Sequence, residues 1–130
     1  MVMCSDHFAN YDLSDNCLGD DGAMLLAEAL KTSLHIVTLN LSSNSLTHRG
    51  AHFIFEALQK NQSLVDLNLS SIPVTGKYRN TLLGKGCSPL AKLLQSNKFL
   101  TILNLQGTGL SDLGVRYIAE GFHGETSSPL

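Results

Sequence analysis

The sequence of 130 residues contains no tryptophan, only three cysteines and only three prolines. Cys4, Cys17 and Cys87 are odd in number and far apart, which favours a reducing compartment over a disulfide framework. A strong charge of one sign is also missing, because the formal net charge is −2. Such a chain gives no reason to expect a nucleic acid or an anionic membrane as its partner.

Long hydrophobic runs are absent as well. No stretch approaches the roughly 18 apolar residues that a membrane-spanning helix needs. Residues 1–10 have neither a basic start nor an apolar run, so they do not resemble a secretory signal. We therefore expect a cytoplasmic protein, with a cytoskeletal or ciliary location as the alternative. The hydrophobic fraction of 43% still allows one domain with a packed core.

The sequence does contain an internal repeat, in which a leucine is followed five positions later by a second leucine and four positions after that by a glycine, as in Leu13, Leu18 and Gly22. The step from Leu13 to Leu41 is 28 residues, the step from Leu41 to Leu69 is again 28, and the step from Leu69 to Leu105 is 36. The register is restored if residues 72–79 are an insertion of eight residues. A regular step of about 20–50 residues is typical of solenoid proteins.

Each repeat combines two periods. Residues 37–41 alternate between apolar and polar side chains, which predicts a short strand with one buried face. The segment after each glycine has apolar residues at helical spacing, which predicts a helix with one buried stripe. In the four repeats this stripe consists of Ala23, Leu26, Ala27 and Leu30; Ala51, Ile54, Phe55 and Leu58; Cys87, Leu90, Ala91 and Leu94; and Val115, Ile118, Ala119 and Phe122.

Two further positions recur in the turns of the repeats. Asn16, Asn44 and Asn80 follow the strands, where an amide can bond backbone groups that the turn leaves unpaired. Thr108 takes this position in the last repeat, and its hydroxyl can replace the amide only weakly. The glycines, Gly22, Gly50, Gly86 and Gly114, stand at the predicted helix starts, where a side chain would crowd the neighbouring coil.

This pattern resembles the ribonuclease-inhibitor-type leucine-rich repeat family, whose repeat length is also 28 residues. The resemblance covers about residues 8–123. It implies a horseshoe arc with parallel strands on the concave side and helices outside. It also implies a protein that binds protein ligands through concave residues and loop edges. The repeats are expected at residues 8–35, 36–63, 64–99 and 100–123, as one domain covering 1–123, followed by a flexible tail at 124–130.

Candidate binding residues lie beside the strand leucines, on the face that should be concave. They are small, polar and mostly neutral: Asp12, Thr38, Asn40, Asp66, Asn68, Asn104 and Gln106. Binding sites built on tryptophan and charged hot spots look different. The column of Asp12, Asn40, Asn68 and Asn104 can also be a side-chain ladder that serves only the stacking of the strands, so both interpretations stay open.

Charge and the insertion supply a second set of candidates. Residues 1–30 contain six acidic residues and no lysine or arginine, whereas residues 67–111 contain five basic residues and no acidic residue. Such polarity can steer a partner, favour the stacking of copies, or be ordinary solvated surface. Lys77, Tyr78 and Arg79 at the end of the insertion are candidate contacts, because Tyr and Arg are frequent in interfaces. A tolerated surface loop is the alternative.

No catalytic or cofactor motif is found. His48 and His52 are four residues apart but lack a third metal ligand, and the full phosphate-loop pattern is absent. We therefore predict a protein-interaction scaffold that is not an enzyme and needs no cofactor or metal. The alternatives are a regulatory domain acting on an enzyme such as a small GTPase, with Arg79 as its arginine, and an architectural part of a cytoskeletal or ciliary assembly.

The ends of the repeat array lead to a further expectation. Solenoids need polar caps at both ends, and about four repeats are close to the minimum for stability. No cap is recognisable here on either side. We therefore expect a segment of a longer protein, a short isoform, or a chain that stacks on itself or on a partner.

Overall fold

The structure is a computed structural model that describes residues 9–71, 77–82 and 88–109. Strands and helices alternate along the chain as β1 (Ala9–Asp12), α1 (Gly19–Thr32), β2 (Ile36–Asn40), α2 (His48–Leu58), β3 (Asp66–Asn68), α3 (Ser88–Ser96) and β4 (Ile102–Asn104). The strands form one parallel sheet in the order β1-β2-β3-β4. The predicted α/β solenoid is thereby confirmed. The fourth predicted helix and the tail at 124–130 lie outside the described residues.

The core lies between the sheet and the helices. Leu39 of β2 pairs with Leu67 of β3, and both side chains are buried. Ile54 and Phe55 of α2 and Leu30 of α1 are fully buried in the same cluster. The leucine columns and the helical stripes therefore meet as the sequence predicts, and stacked repeats bury faces that one repeat alone could not.

Some apolar side chains of the first repeat remain exposed to solvent within the described part of the chain. Leu26, a predicted core residue, is partly buried, and the neighbouring Leu25 is 70% exposed. Tyr11 occupies the position that Leu39 has in the next strand, yet it is 48% exposed because β1 is the edge of the described sheet.

The turn asparagines connect one repeat to the next. The Oδ1 atom of Asn44 accepts from the backbone N–H groups of Asn16 (3.0 Å) and Leu18 (3.3 Å) in the preceding repeat. The Oδ1 atom of Asn80 does the same for Asn44 (2.9 Å) and Leu46 (3.0 Å). Asn44 and Asn80 are both completely buried. Each amide thus satisfies turn groups that would otherwise cost about 1–3 kcal/mol apiece to bury.

A second set of asparagines, at the helix ends, was not predicted from the sequence. Asn61 follows α2, and its Nδ2 donates to the carbonyl of Leu30 in the preceding repeat (2.8 Å). Asn97 follows α3, and its Nδ2 donates to the carbonyl of Leu58 (2.7 Å). Ser33 follows α1, and its Oγ accepts from His35 and Ile36, both at 3.3 Å. These helix-end asparagines connect neighbouring repeats where the helices end, as the turn asparagines connect them where the strands end.

The start of α2 depends on the preceding repeat. Oδ1 of Asp20 accepts from the backbone N–H groups of Thr47 (2.8 Å) and Gly50 (3.0 Å), and Oδ2 accepts from the hydroxyl of Thr47. A β-carbon on Gly50 would lie 2.5 Å from Oδ1 of Asp20 and 3.2 Å from the β-carbon of Ala23. The expected crowding of the neighbouring coil is therefore confirmed at Gly50. At Gly22 the contact is with Leu18 of the same coil instead.

Candidate protein-interaction surface

The predicted binding residues on the strands form two cross-strand rows. The register pairs Asn10 with Thr38, Thr38 with Asp66, and Asp66 with Ile102 in the first row. The second row consists of Asp12, Asn40, Asn68 and Asn104. Because side chains alternate along a strand, both rows lie on the sheet face opposite Leu39 and the helices. We call this surface the open face.

The second row has a structural role through its oxygen atoms. Oδ1 of Asn40 accepts from the backbone N–H of Ser42 (3.0 Å), and the equivalent bonds are 2.9 Å at Asn68 and 3.0 Å at Asn104. Each side chain therefore fixes the turn that ends its own strand. The Nδ2 groups of these three asparagines have no hydrogen-bond partner within the described part of the chain. The row thus combines a structural acceptor with a donor available to a ligand.

Asp12 is the acidic member of this row. Its Oδ1 accepts from the hydroxyl of Ser14 (2.6 Å) and from the backbone N–H of Ser14 (3.0 Å). The hydroxyl of Ser14, and after it the backbone N–H, lowers the pKa of the Asp12 carboxyl below its ordinary value, against a smaller opposing effect of desolvation. The group is therefore ionised at neutral pH.

The first row is less constrained. The hydroxyl of Thr38 donates to Oδ1 of Asn10 (2.8 Å). No hydrogen bond or ion pair of the Asp66 carboxylate occurs among the described residues, and Ile102 is 53% exposed. Between the rows lies a shallow depression of about 240 Å³, lined by Asn10, Tyr11, Asp12, Thr38, Leu39, Asn40, Asp66 and Asn68. The structure therefore brings together five of the predicted site residues, which are Asp12, Thr38, Asn40, Asp66 and Asn68.

Alternation along the strand would also place Ser42 on the open face, but Ser42 is buried, because the chain has already begun its turn there. A second, apolar depression of about 520 Å³ adjoins the open face and was not predicted. It is lined by Asn10, Leu34, Val37, Gln62, Ser63 and Val65. Leu34, which is 64% exposed, is the sequence signal that could have revealed it.

The predicted contacts from the insertion are Lys77, Tyr78 and Arg79. They lie at the edge of the sheet where the strands end, and we call these three residues the loop edge. The ammonium of Lys77 lies 5.2 Å from the ring centroid of Tyr78. The backbone carbonyl of Tyr78 accepts from Ser45 (2.9 Å), and Nη2 of Arg79 donates to the carbonyl of Gly107 (3.1 Å). The backbone of Tyr78 is thus bonded to the second repeat and the side chain of Arg79 to the fourth. Gln106 is exposed beside Gly107.

The flanks of the predicted insertion are hydrogen bonded to each other. The hydroxyl of Ser71 donates to the carbonyl of Asn80 (2.9 Å), and the N–H of Asn80 donates to Ser71 Oγ (2.9 Å). Asn80 can therefore continue the turn asparagines directly after Ser71, although eight residues lie between them. Residues 72–76 lie outside the described part.

The described residues contain no group of three side chains that could hold a metal ion. Nε2 of His52 lies 3.2 Å from Oε2 of Glu56. Nδ1 of His48 is buried, and no described residue supplies a hydrogen-bond partner for it. In the same part of the chain, no helix is long and apolar enough to cross a membrane.

Comparison with known proteins agrees with this geometry. A family model described as leucine-rich repeat matches residues 12–27, 32–54 and 96–119. The solved structure of the tropomodulin C-terminal domain from Caenorhabditis elegans is similar, with a TM-score of 0.50 and 13% identity, over 95% of this chain and 87% of that one. No curated protein matches the chain. The chain is therefore an α/β solenoid of leucine-rich repeats.

Proposed function

We propose that the chain is a non-catalytic scaffold that binds a protein partner through the open face and the adjoining loop edge. The observation that carries this proposal is the polar surface formed by the two rows. Within the described part of the chain, Oδ2 of Asp12, the Asp66 carboxylate and the Nδ2 groups of Asn40 and Asn68 have no hydrogen-bond partner, so they are available to a ligand. A surface of this kind supplies specificity through hydrogen bonds and complementary charge.

The loop edge supports the same proposal. The side chains of Lys77 and Arg79 are exposed, and Tyr78 is half-buried beside them. Because Arg79 is attached to Gly107 and Tyr78 to Ser45, this edge has little freedom to lose when a partner binds. We assign the repeats to the ribonuclease-inhibitor type on their 28-residue step, and the protein to the cytoplasm.

Affinity capture from native cells tests this function. The bait is the chain itself, compared with Thr38→Arg, which places a long cation on the open face. The matched control is Thr32→Arg, because Thr32 is exposed at the end of α1 on the helical side. We expect a specific protein to be retained by the wild type and by Thr32→Arg, and lost with Thr38→Arg. Equal retention by both variants would contradict the open face as the binding surface.

The regulatory alternative depends on Arg79. The hydrogen bond from Nη2 to Gly107 positions this guanidinium at the loop edge, as an activating arginine would require. Under this alternative, Arg79→Ala would abolish stimulation of a bound GTPase while leaving binding intact. Unchanged GTP turnover by the captured partner would exclude it. The likeness to tropomodulin, at 13% identity, is one of fold and supplies no partner.

A further inference from the structure

The charge of the open face is acidic. Among the eight positions of the two rows, the charged residues are Asp12 and Asp66, and no row position carries a cation. The depression between the rows contains both of these aspartates. A partner that brought further carboxylates to this face would be repelled, whereas one that brought cations would be attracted.

Both carboxylates are available. The hydrogen bonds of Asp12 involve its Oδ1 and come from the neighbouring Ser14, which keeps the group ionised and leaves Oδ2 to a ligand. Asp66 has no described ion-pair partner. Two cations that follow β3 in the sequence, Lys77 and Arg79, are engaged at the loop edge by the Tyr78 ring and the Gly107 carbonyl.

The spacing of the two carboxylates limits what can bind them. Asp12 and Asp66 are separated by two strands, at about 4.8 Å each, and by two positions along the strand, at about 3.3 Å each. Their separation of about 12 Å, which follows from these spacings, is too large for one guanidinium. Two cationic side chains about four residues apart in an extended segment have a matching separation, since such a segment advances about 3.3 Å per residue.

The other groups of the open face complement the backbone and the apolar side chains of such an extended segment. The Nδ2 groups of Asn40, Asn68 and Asn104 are donors, so they complement main-chain carbonyl groups rather than cations. Ile102 and the depression lined by Leu34 offer apolar contact at the margin. Cations, carbonyl groups and apolar side chains occur together in a basic peptide segment of a protein.

We propose that the open face recognises a partner segment with two basic side chains, one bound at Asp12 and the other at Asp66. This proposal rests on the proposed function and specifies the chemistry of the partner. Arginine fits these two carboxylates better than lysine, because its planar fork can bind a carboxylate through two parallel hydrogen bonds.

The proposal is tested with a defined probe. The probe is a seven-residue glycine-serine peptide with arginines at positions two and six, and its control is the same peptide with neutral citrullines. Binding to the full chain is followed by ¹H–¹⁵N NMR at low salt. The side-chain amide signals of Asn40 and Asn68, next to the two carboxylates, report the site. The variants are Asp12→Asn/Asp66→Asn and the charge-matched control Asp15→Asn/Asp21→Asn, whose positions are exposed outside the open face.

We expect the arginine peptide to shift the Asn40 and Asn68 signals. Asp12→Asn/Asp66→Asn should weaken its binding about five- to tenfold, as expected for the loss of two solvent-accessible charge pairs. Citrulline should weaken it similarly, and Asp15→Asn/Asp21→Asn should have less than about a twofold effect. Equal weakening by both double variants, or equal binding of the citrulline peptide, would overturn the proposal.

Two further outcomes distinguish a basic peptide from a second copy of the chain, and a failure of this inference from a failure of the proposed function. If the face bound a second copy instead, light scattering would show a dimer that Asp12→Asn/Asp66→Asn dissociates, and the proposal would be wrong. If Thr38→Arg abolished capture of a cellular partner while the arginine peptide failed to bind, the inference would fall and the proposed function would stand.

Discussion

Oδ1 of Asp20 lies 3.0 Å from the backbone nitrogen of Gly50, although the two residues are 30 positions apart in sequence. The carboxylate of the first repeat thereby completes the start of helix α2 in the second repeat, where the helix dipole favours a negative charge. Because the acceptor lies only 2.5 Å from the position that a β-carbon on residue 50 would take, the glycine and the aspartate depend on each other.

This relationship predicts that Gly50→Ala destabilises the protein. Alanine has the higher helix propensity by about 1 kcal/mol, but its β-carbon would displace the Asp20 carboxylate. We expect the free energy of unfolding to fall by about 1–3 kcal/mol, measured by urea denaturation. The equivalent Gly22→Ala should stay within about 0.5 kcal/mol of wild type, because the three atoms nearest its β-carbon all belong to the Leu18 side chain, at 3.1 Å or more, and the gain in helix propensity offsets this contact.

A double-mutant cycle separates this contact from other packing effects. Asp20→Ala removes the acceptor, so Gly50→Ala should then cost at least about 1 kcal/mol less than in the wild-type background. A smaller residual cost is expected, because the new β-carbon would still lie 3.3 Å from Leu46. Additive effects of the two substitutions would contradict the dependence.

The turn asparagines predict a large difference between two chemically identical substitutions. Asn80 is completely buried and binds five backbone groups, whereas Asn16 is exposed and its side chain donates to the carbonyl of Ser14. Asn80→Ala should reduce the free energy of unfolding by about 2–4 kcal/mol, and Asn16→Ala by less than about 0.5 kcal/mol. Similar denaturation midpoints for the two variants would show that the buried amide does not stabilise the turns.

The helix-end asparagines allow a parallel test in the loops that lead from each helix to the next strand. Asn61 is buried, and its Oδ1 accepts from Ser63 (2.9 Å) and Leu64 (2.8 Å) while Nδ2 reaches Leu30. Asn61→Ala should lower the free energy of unfolding by about 2–3 kcal/mol, because the N–H groups of Ser63 and Leu64 and the carbonyl of Leu30 would lose their partner. Ser33→Ala at the equivalent position should cost about 1 kcal/mol, since its two hydrogen bonds are longer. Thermal unfolding followed by circular dichroism would rank the variants, and the reverse order would refute this assignment.

The environment of Asp12 predicts an effect of pH. Ser14→Ala removes the hydroxyl donor, so the pKa of the Asp12 carboxyl should rise towards its ordinary value. Because the folded-state pKa lies below the unfolded one, the stabilising contribution is present above the unfolded pKa and is lost as the pH falls through the folded pKa. Carboxyl ¹³C titration by NMR measures this directly. An unchanged pKa in Ser14→Ala would contradict the hydrogen bond.

Much of the fold could be predicted because leucines at fixed positions can bury one face only when repeats stack. The pairing of Thr38 with Asp66, and of Asn40 with Asn68, follows from the same 28-residue step. The helix-end asparagines recur too, since Ser33, Asn61 and Asn97 each precede a buried or half-buried apolar residue three positions later. Their role was missed because serine takes the place of asparagine in the first repeat.

The use of individual polar atoms could not be predicted from the sequence. The pattern alone left two roles for Asn40, and the structure assigns its oxygen to the Ser42 turn while its amide donor has no described partner. Arg79 could similarly have been free, whereas it donates to Gly107 across the sheet edge. Such assignments depend on distances between residues of different repeats, which the periodicity does not specify.

Site-specific photocrosslinking in native cells tests the central claim most directly, because it records which surface touches a partner without requiring the loss of binding. Benzoylphenylalanine would replace Thr38 on the open face or Thr32 at the end of α1 in otherwise identical chains. We predict a discrete protein adduct from position 38 and none from position 32. An adduct from position 32 alone, or equal adducts from both positions, would contradict binding through the open face.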